Sequence, residues 1–401
     1  MTAICTKAPA SAGCDRSTMD GERGTAMLRA ARNGAEAMVV RLRELVRHES
    51  PPGSRSHLAA CAGLLTRWGE AALGRPARRV VREGLPHLLW TVPDQRVLLL
   101  GHFDTVWPAG TLASWPFAVR DGLATGPGVC DMKAGIVQMF AALELLAGVS
   151  RVGTSRVGVL LTCDEESGSP TSRALIEEQA RRSGAVLVCE PSTPDGLLKV
   201  ARKGGSAYRL VADGRAAHAG VEPQRGVNAS VEIAHQVLAL PALASPAAGT
   251  TVTPTLLAAG TTTNTVPERA TLAVDVRAWT PGELDRVDRE LRALRPRVRG
   301  AGLAVEGGVN RYPMTPDVAR PLLEVAAAAA KDLGLPPVEG AYAPGASDAN
   351  FTAALGVPTL DGLGGVGGGA HARAEYVEVR HLPERAALLA ALLESLLTTA
   401  R

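Results

Sequence analysis

The chain has 401 residues, of which 46% are hydrophobic and 21% are charged, a composition typical of a globular protein. At roughly 100–200 residues per domain, this length predicts two or three domains. The 43 basic and 40 acidic residues give a formal net charge of +3 and are spread along the chain. Because the basic residues form no tail or stripe, the sequence does not favour nucleic-acid binding.

The first 24 residues are polar, rich in Gly, Ser and Thr, and without the apolar stretch of a signal peptide. We expect them to form a disordered leader. No uninterrupted run of about 18 apolar residues is found, so no membrane span is expected. The six cysteines form no Cys-x-x-Cys pair and suggest no disulfide framework. Cys163 and Cys189 lie in apolar runs, which favours a reducing compartment such as the cytoplasm.

Hydrophobic periodicity predicts alternating helices and strands in the first half of the chain. The expected elements are helical segments between Ala26 and Trp68 with a break at Pro51-Pro52-Gly53, a strand at Val97–Leu100, a helix at Lys133–Leu146, a strand at Val157–Leu161, a helix at Ser172–Arg182 and a strand at Ala185–Val188. Strands that alternate with helices indicate an open, largely parallel sheet that is covered on both faces.

The pattern changes after Lys203. The expected elements there are a half-exposed strand at Ala207–Ala212, a helix at Ala229–Leu240, strands at Leu256–Ala259 and Ala270–Ala278, and a helix at Pro281–Leu294. The α/β pattern resumes near Pro316, with a helix to Leu333 and a last helix at Pro383–Leu397. An insertion explains this order: residues 25–203 and 313–401 are predicted to form the main domain, and residues 204–312 an inserted α+β domain.

Acidic side chains and a histidine follow the three apolar strands of the main domain and a glycine-rich turn. The strands lead into Gly101-His102-Phe103-Asp104, Asp164-Glu165-Glu166 and Cys189-Glu190-Pro191, and the turn from Gly126 to Lys133 contains Asp131. The carboxyl ends of parallel strands gather at one edge of a sheet, where ligands bind in such folds. We therefore expect one cleft to hold His102, Asp104, Asp131, Glu165, Glu166 and Glu190.

Five carboxylates in one cleft would repel one another strongly unless cations neutralise them. Imidazole and carboxylate groups together form a ligand set for zinc or a similar divalent metal. The charge count fits two ions that share a carboxylate and clamp a water and a carbonyl together. A lone His-x-Asp or Glu-Glu pair is weak evidence, but the coincidence of these clusters at the ends of buried strands favours a metal site.

The longer motifs around these residues resemble a family of di-zinc peptidases that includes glutamate carboxypeptidase, acetylornithine deacetylase, succinyl-diaminopimelate desuccinylase and aminoacylase. The motifs are Gly101-His102-Phe103-Asp104-Thr105-Val106-Trp107-Pro108, the segment from Gly126 to Gly135, Asp164-Glu165-Glu166-Ser167-Gly168-Ser169, and Cys189-Glu190-Pro191. The resemblance covers nearly the whole chain after the leader. It implies an α/β fold with a mostly parallel-sheet catalytic domain, of the phosphorylase/hydrolase-like zinc exopeptidase type, and an inserted α+β lid or dimerisation domain.

The resemblance implies two Zn2+ ions and assigns their ligands. His102 and Glu190 would hold one ion, Glu166 and His371 would hold the other, and Asp131 would bridge both. Co2+ or Mn2+ could be held by the same ligands.

The resemblance also assigns two residues that act beside the metals. Glu165 would be the general base, which takes a proton from the attacking water and passes it to the leaving nitrogen. Asp104 would fix the His102 ring by a hydrogen bond. His371 is preferred to His381 as the late histidine because it lies in a glycine-rich segment that is followed by Glu-Tyr.

Four further positions match the family's substrate-binding segments. His218, in the inserted domain, resembles a histidine that reaches the active site of the partner subunit and stabilises an oxyanion there, which implies a homodimer through the lid domain. Asn264, Arg277 and Gly345 match positions that contact substrate, and a guanidinium such as that of Arg277 binds a carboxylate in a two-pronged way.

Simpler interpretations of these residues stay open. Arg277 could instead form a structural salt bridge with Asp275 or Glu268, and His218 could be a surface residue.

The resemblance implies hydrolysis of an amide bond next to a carboxylate, in a small molecule or short peptide, with neither nucleic acid nor membrane as a partner. Glu190 stands where some members have Asp, and Glu goes with carboxypeptidases and deacylases. A glutamate-carboxypeptidase-like activity and an N-acyl amino acid deacylase both stay open. A non-catalytic metal-binding or ligand-binding homologue would lack the base, whereas Glu165 is present, and a nucleotide-dependent oxidoreductase would need a Gly-x-Gly-x-x-Gly turn after the first strand.

Overall fold

The computed structural model describes residues 16–150 and 152–398. Its helices are α1 (Arg16–Asn33), α2 (Ala35–Arg47), α3 (Arg55–Leu73), α4 (Thr111–Ser114), α5 (Ala134–Val149), α6 (Arg173–Arg181), α7 (Ala229–Ala239), α8 (Pro281–Arg292), α9 (Pro316–Asp332), α10 (Ala349–Ala354) and α11 (Leu382–Thr398).

Sixteen strands lie within the described residues. They are β1 (Arg78–Arg82), β2 (Leu85–Trp90), β3 (Val97–His102), β4 (Ala118–Arg120), β5 (Leu123–Thr125), β6 (Val157–Thr162), β7 (Ala185–Val188), β8 (Leu198–Arg202), β9 (Gly204–Asp213), β10 (Thr251–Ala259), β11 (Arg269–Ala278), β12 (Gly302–Arg311), β13 (Gly340–Ala343), β14 (Thr359–Leu360), β15 (Gly367–Gly368) and β16 (Tyr376–Glu378).

The first helix corrects the predicted end of the leader. Residues 1–15 lie outside the described residues, but residues 16–24, which the sequence assigns to the leader, belong to α1. Met27 and Ala31 of this helix are buried in the main core, and each residue added to an anchored helix gains a backbone hydrogen bond at little cost. Polar composition alone therefore did not locate the start of α1.

A six-stranded sheet in the order β1-β2-β6-β3-β7-β14 forms the centre of the main domain. The strands β6, β3, β7 and β14 run parallel, whereas β1 and β2 are antiparallel to their neighbours. Every residue of β3 and β6 is buried, and because side chains alternate between the two faces of a strand, both faces of the sheet are covered. The predicted α/β class with a mostly parallel sheet is confirmed.

The helix α5 lies in the main core and contacts α11, α3 and β3. By length and composition alone, the stretch Val129–Val149 could cross a membrane, but 72% of its most apolar window is buried inside the protein. The sequence predicts no membrane span, and this stretch is the single candidate among the described residues. This degree of burial is typical of a core helix in a globular protein.

A second sheet has the antiparallel order β10-β11-β9-β12 and lies within residues 204–311. Helices α7 and α8 pack against it and close a separate core that includes Leu210, Ile233, Val274 and Leu284. The alternation of buried and more exposed residues along β11 is the pattern of a sheet with one covered face.

Two adjacent chain crossings join the inserted sheet to the rest of the protein. Arg202 and Met314 exchange two backbone hydrogen bonds of 3.0 and 3.1 Å, so the outgoing and returning segments lie side by side. Arg311, the last residue of β12, lies 3.0 Å from the carboxylate of Glu165. The inserted sheet therefore meets the main domain at the edge where the strand ends carry the acidic residues.

Candidate metal centre

Three neighbouring strands deliver side chains to one edge of the main sheet. His102 is the last residue of β3, Glu165 and Glu166 follow β6, and Glu190 follows β7, and these strands lie in the order β6-β3-β7. The His102 Nε2 atom lies 3.2 Å from an oxygen of Asp131 and 3.4 Å from an oxygen of Glu190. These three side chains form one group that could hold a metal ion.

A second group shares one member with the first. The His371 Nε2 atom lies 3.2 Å from an oxygen of Glu166 and 3.5 Å from the second oxygen of Asp131. Asp131 therefore turns one carboxylate oxygen towards each histidine, and it belongs to both groups that could hold a metal. The structure brings together all five side chains that the resemblance names as ligands.

Glycines allow the loops that carry these ligands to pack closely. Gly128 has a φ of 70°, and a Cβ atom at this position would collide with the side chain of Thr105. A Cβ atom on Gly364 would collide with the main-chain carbonyl of Cys189 and lie 2.8 Å from that of Glu190. The glycine run at 362–369 therefore serves close backbone approach beside the centre.

His371 has an unusual backbone conformation for a residue with a side chain. Its φ is 65°, in the left-handed region, which costs about 1–3 kcal/mol for a residue other than glycine and points to a functional position. Its side chain is 55% exposed, whereas that of Glu166 is 6% exposed. The second group therefore opens to solvent on the histidine side.

Asp104 connects the end of β3 to the turn that follows β6. The His102 Nδ1 atom lies 3.0 Å from the main-chain oxygen of Asp104 and 3.4 Å from its carboxylate. The same carboxylate accepts hydrogen bonds from the main-chain N–H groups of Glu165 and Glu166, at 3.3 and 3.0 Å. Asp104 thus orients both the imidazole ring, as the resemblance implies, and the turn that carries the acidic pair.

The ionisable groups of the centre perturb one another. Burial acts to raise the pKa of Asp131, but hydrogen bonds from His102 and His371 outweigh it and hold the pKa below its usual value. The hydrogen bonds to Asp131 and Glu166 raise the pKa of His371 to about 10. Burial raises the pKa of Glu166. The cluster therefore favours positive charge at the point where the two groups meet.

The residues present fit two divalent metal ions. Within the part of the chain that the structure describes, the buried Oε1 atom of Glu166 has no hydrogen-bond partner, and an orphaned carboxylate oxygen is costly unless a cation lies against it. Two imidazoles and three carboxylates are a donor set for zinc and similar metals. His102 and Glu190 would hold one ion, Glu166 and His371 the other, and Asp131 both.

Glu165 lies beside the centre in a buried ionic network. Its Oε1 atom is 3.0 Å from Arg311 Nη2, and the same nitrogen lies 2.8 Å from Asp348 and 2.8 Å from Ser169 Oγ. Burial raises the pKa of Glu165 well above its usual value, although Arg311 opposes this. A carboxyl group in such surroundings is suited to accept and return a proton.

The sequence did not predict a role for Arg311 or Asp348. Asp348 lies in a segment that was noted only for Gly345, and Arg311 ends a strand that the sequence did not predict. The available signal for Arg311 was a charged residue at the end of a glycine-containing segment, followed by Tyr312 and Pro313.

A cavity of about 260 Å3 lies between the main sheet and the inserted sheet. Glu165 and Glu166 line it from the main domain, and Asp275 and Arg277 line it from β11. Arg277 forms hydrogen bonds to Asp275, the shortest of which is 2.8 Å. The salt bridge with Asp275, which is the simpler interpretation of Arg277, is therefore present in the structure. Gly345 accepts a hydrogen bond of 2.9 Å from Arg202, and its neighbour Ala346 lines the cavity.

His218 and Asn264 lie elsewhere on the inserted domain. Both are exposed, and their loops meet through a 2.9 Å hydrogen bond from the main-chain N–H of Ala219 to the main-chain oxygen of Asn264. Among the described residues, neither belongs to the lining of the 260 Å3 cavity. A single chain therefore does not bring these two residues to the metal centre.

The α/β fold, the two linked groups of histidine and carboxylate, and the buried glutamate beside them define the class of metal-dependent hydrolases. Residues 98–395 match the Peptidase family M20/M25/M40. The chain belongs to this family, and it is an enzyme that hydrolyses amide bonds in a metal-dependent reaction.

Curated relatives extend the match over most of the chain. The sequence is 31% identical to carboxypeptidase G2 of Pseudomonas sp. (strain RS-16) over 402 residues, which cover 94% of this chain and 93% of the relative. It is 30% identical to succinyl-diaminopimelate desuccinylase of Paracoccus denitrificans (strain Pd 1222) over 311 residues, which cover 70% of this chain and 79% of the relative.

Solved structures support the fold. An M20 family metallo-carboxypeptidase of Sulfolobus solfataricus aligns with a TM-score of 0.69 at 17% identity and covers 90% of this chain and 99% of its own. A Bacillus subtilis protein described as a dinuclear metal-binding peptidase of the same family aligns with a TM-score of 0.64 at 16% identity, over 92% of this chain and 100% of its own.

Loss of the shared carboxylate is expected to abolish both metal sites. Metal-free protein should bind two equivalents of Zn2+, Asp131→Ala should bind none tightly, and His371→Ala should retain one, because the first group does not include His371. Titration of each apoprotein with Zn2+ against a chromophoric chelator measures this. The matched control is His381→Ala, since His381 pairs with Glu384; tight binding of two ions by Asp131→Ala contradicts the shared role.

Proposed function

We propose that this protein is a glutamate-carboxypeptidase-like enzyme that uses two zinc ions to release the C-terminal amino acid from a short peptide or N-acyl amino acid. The observation that carries the proposal is the single cavity that has Glu165 and Glu166 on one wall and Arg277 on the other. A guanidinium binds a carboxylate through two parallel hydrogen bonds. A substrate carboxylate held at Arg277 would leave the neighbouring amide bond facing Glu165.

The chain's own residues have separate tasks in this reaction. When bound, the two divalent ions polarise a carbonyl oxygen and activate water. Glu165 accepts a proton from the attacking water and donates it to the leaving nitrogen. Arg311, itself held by Asp348, keeps the Glu165 carboxylate in place, and Asp104 orients the turn that carries it.

The comparisons support the carboxypeptidase branch over the alternative. The match to carboxypeptidase G2 covers 94% of the chain, whereas the match to the desuccinylase covers 70%. Glu190 accompanies carboxypeptidases and deacylases alike in the family that the sequence resembles, so this residue does not separate the two. An N-acyl amino acid deacylase is the second candidate, because a desuccinylase is also among the relatives at 30% identity.

Two zinc ions are part of the proposal. The two groups that share Asp131 support a pair of ions, as does the fold shared with a protein described as dinuclear. Cobalt or manganese could occupy the same nitrogen and oxygen ligands.

We propose that residues 204–312 form a lid and dimerisation domain. Strand β10 lies at the edge of the inserted sheet, and its Leu256 and Leu257 are 75% and 57% exposed. An exposed apolar edge strand is a template for pairing with another chain, and two identical edges pair about a two-fold axis. His218, exposed on the same domain, would then reach the partner's cavity.

The cytoplasm is the proposed location. The cysteines within the described residues, Cys61, Cys130, Cys163 and Cys189, are free and buried, which suits a reducing compartment.

Removal of the proposed base is expected to separate catalysis from metal binding. Glu165→Gln should lower kcat by about 10²–10⁴-fold, the usual contribution of a general base, and should still bind two equivalents of Zn2+. Steady-state kinetics measures the loss of kcat, and zinc titration measures whether both ions are still bound. Glu177→Gln, on the outer part of α6, is the matched control and should keep wild-type kcat; normal turnover by Glu165→Gln contradicts the assignment.

Substrate preference tests the carboxypeptidase branch. A folate-like glutamate conjugate, an N-acetyl amino acid and a dipeptide are compared by kcat/KM, and the glutamate conjugate is expected to be the best substrate. Arg277→Gln should raise KM more than it lowers kcat, because it removes a contact to a carboxylate that does not react. Arg269→Gln, at the other end of β11, is the control. Equal rates on all three compounds, or an unchanged KM for Arg277→Gln, contradicts this substrate assignment.

Mixing two inactive variants tests the dimer. If His218 acts on the partner's cavity, a mixture of His218→Ala and Glu165→Gln chains should recover about a quarter of wild-type activity, because half of the dimers carry one intact site. Subunits are exchanged by partial denaturation and renaturation, and activity is compared with each variant alone. Leu256→Glu in both chains is expected to prevent the recovery. If the mixture without Leu256→Glu recovers no activity, His218 does not act across subunits.

A further inference from the structure

Glu375 is a buried carboxylate whose two oxygens are both occupied by N–H donors. Its Oε1 atom accepts hydrogen bonds from the main-chain N–H groups of Cys130 and Asp131, at 2.8 and 3.0 Å. Its Oε2 atom accepts from the main-chain N–H of Gly128 at 3.1 Å and from the indole N–H of Trp107 at 3.0 Å. Since every contact is a donor to oxygen, this geometry is that of an ionised carboxylate.

The donors lie in the turn that presents the shared metal ligand. The turn is not a regular helix, because Asp131 has φ −109° and ψ 97°. The main-chain N–H groups of the turn therefore do not all point along one helix axis. Main-chain N–H groups that are buried need acceptors, and Glu375 supplies them to three positions of the turn. The side-chain carboxylate of Asp131 is left to face His102 and His371.

Glu375 also belongs to the segment that carries the late histidine. Its own N–H donates a 2.9 Å hydrogen bond to the main-chain oxygen of Ala372, and the N–H of Ala372 donates a 2.9 Å hydrogen bond to the main-chain oxygen of Gly369. His371 lies between these residues in the left-handed conformation. One side chain thus connects the turn of Asp131 to the loop of His371.

We propose that Glu375 is a positioning residue for the metal pair: it fixes the main chain at Asp131 so that one carboxylate oxygen faces each of the two ions. This inference rests on the proposed metal centre. Residues that orient metal ligands typically contribute about 10–100-fold to metal affinity. Because Asp131 belongs to both groups, both ions should be bound more weakly when Glu375 is changed.

The test uses the full-length protein and Zn2+ alone. Glu375→Gln replaces one acceptor oxygen by an NH2 group, which cannot accept the N–H bonds of the turn. The dissociation constants of both zinc equivalents are measured by competition with a chelator, with circular dichroism to establish folding. The matched control is Glu378→Gln, three residues further along, whose carboxylate pairs with Arg380.

The proposal predicts that both dissociation constants of Glu375→Gln rise by about 10–100-fold, whereas Glu378→Gln binds as the wild type does. Unchanged affinity with lowered thermal stability would show a role in folding alone and overturn the proposal. Weakening of one ion only would show that Glu375 acts through its own loop and would also overturn it. A wild-type protein that binds no zinc would instead refute the proposed metal centre.

A second variant covers the case in which Glu375→Gln does not fold. Trp107→Phe removes one donor to Glu375 and leaves the carboxylate in place. The control is Trp115→Phe, because Trp115 packs edge-on against Trp107 with ring centroids 4.9 Å apart. Weaker binding of both ions by Trp107→Phe than by Trp115→Phe supports the proposal, and equal affinities of the two variants overturn it.

Discussion

The structure depends on the concentration of negative charge at the carboxyl edge of the main sheet. Asp131, Glu166 and Glu190 lie within 3.5 Å of two imidazoles, and Glu190 also lies 3.8 Å from Arg202. One oxygen of Glu166 is buried without a partner among the described residues. Burying such groups without compensation costs several kcal/mol for each. Divalent cations held by these ligands would offset this cost, and the surrounding residues hold the ligands in place.

Much of this centre was predictable because its signal is local. The apolar runs of β3, β6 and β7 are continuous, which is typical of strands buried on both faces, and each run is closely followed by an acidic residue or a histidine. Parallel strands deliver their ends to the same edge, so the convergence of His102 with Glu190 followed from position in the sequence alone. The roles of these residues, by contrast, came from the resemblance to a family.

Other features were not predictable because they arise from contacts between distant parts of the chain. Glu375 accepts the N–H of a residue 244 positions away, and Arg311 reaches a turn 146 positions away. Hydrophobic periodicity is a local pattern and does not indicate contacts between residues so far apart in the sequence. The strand β12 carries Gly302, Gly307 and Gly308 and forms by pairing with β9, and α1 begins earlier than composition indicates because its last turns are anchored in the core.

The pairing of Arg277 with Asp275 does not exclude a role in substrate binding. A guanidinium has five N–H donors in a planar fork, and Asp275 occupies Nε and Nη2 only on one side. The other side lies over Gly205, where an added Cβ atom would be 3.0 Å from Nη1, so the absence of a side chain there leaves this edge accessible from the cavity. Asp275 therefore fixes the orientation of Arg277 and leaves its Nη1 atom outside this ion pair, and Arg277 lines the same cavity as Glu165. A salt bridge on one edge of the guanidinium is therefore compatible with the proposed role of the other edge in binding a substrate carboxylate.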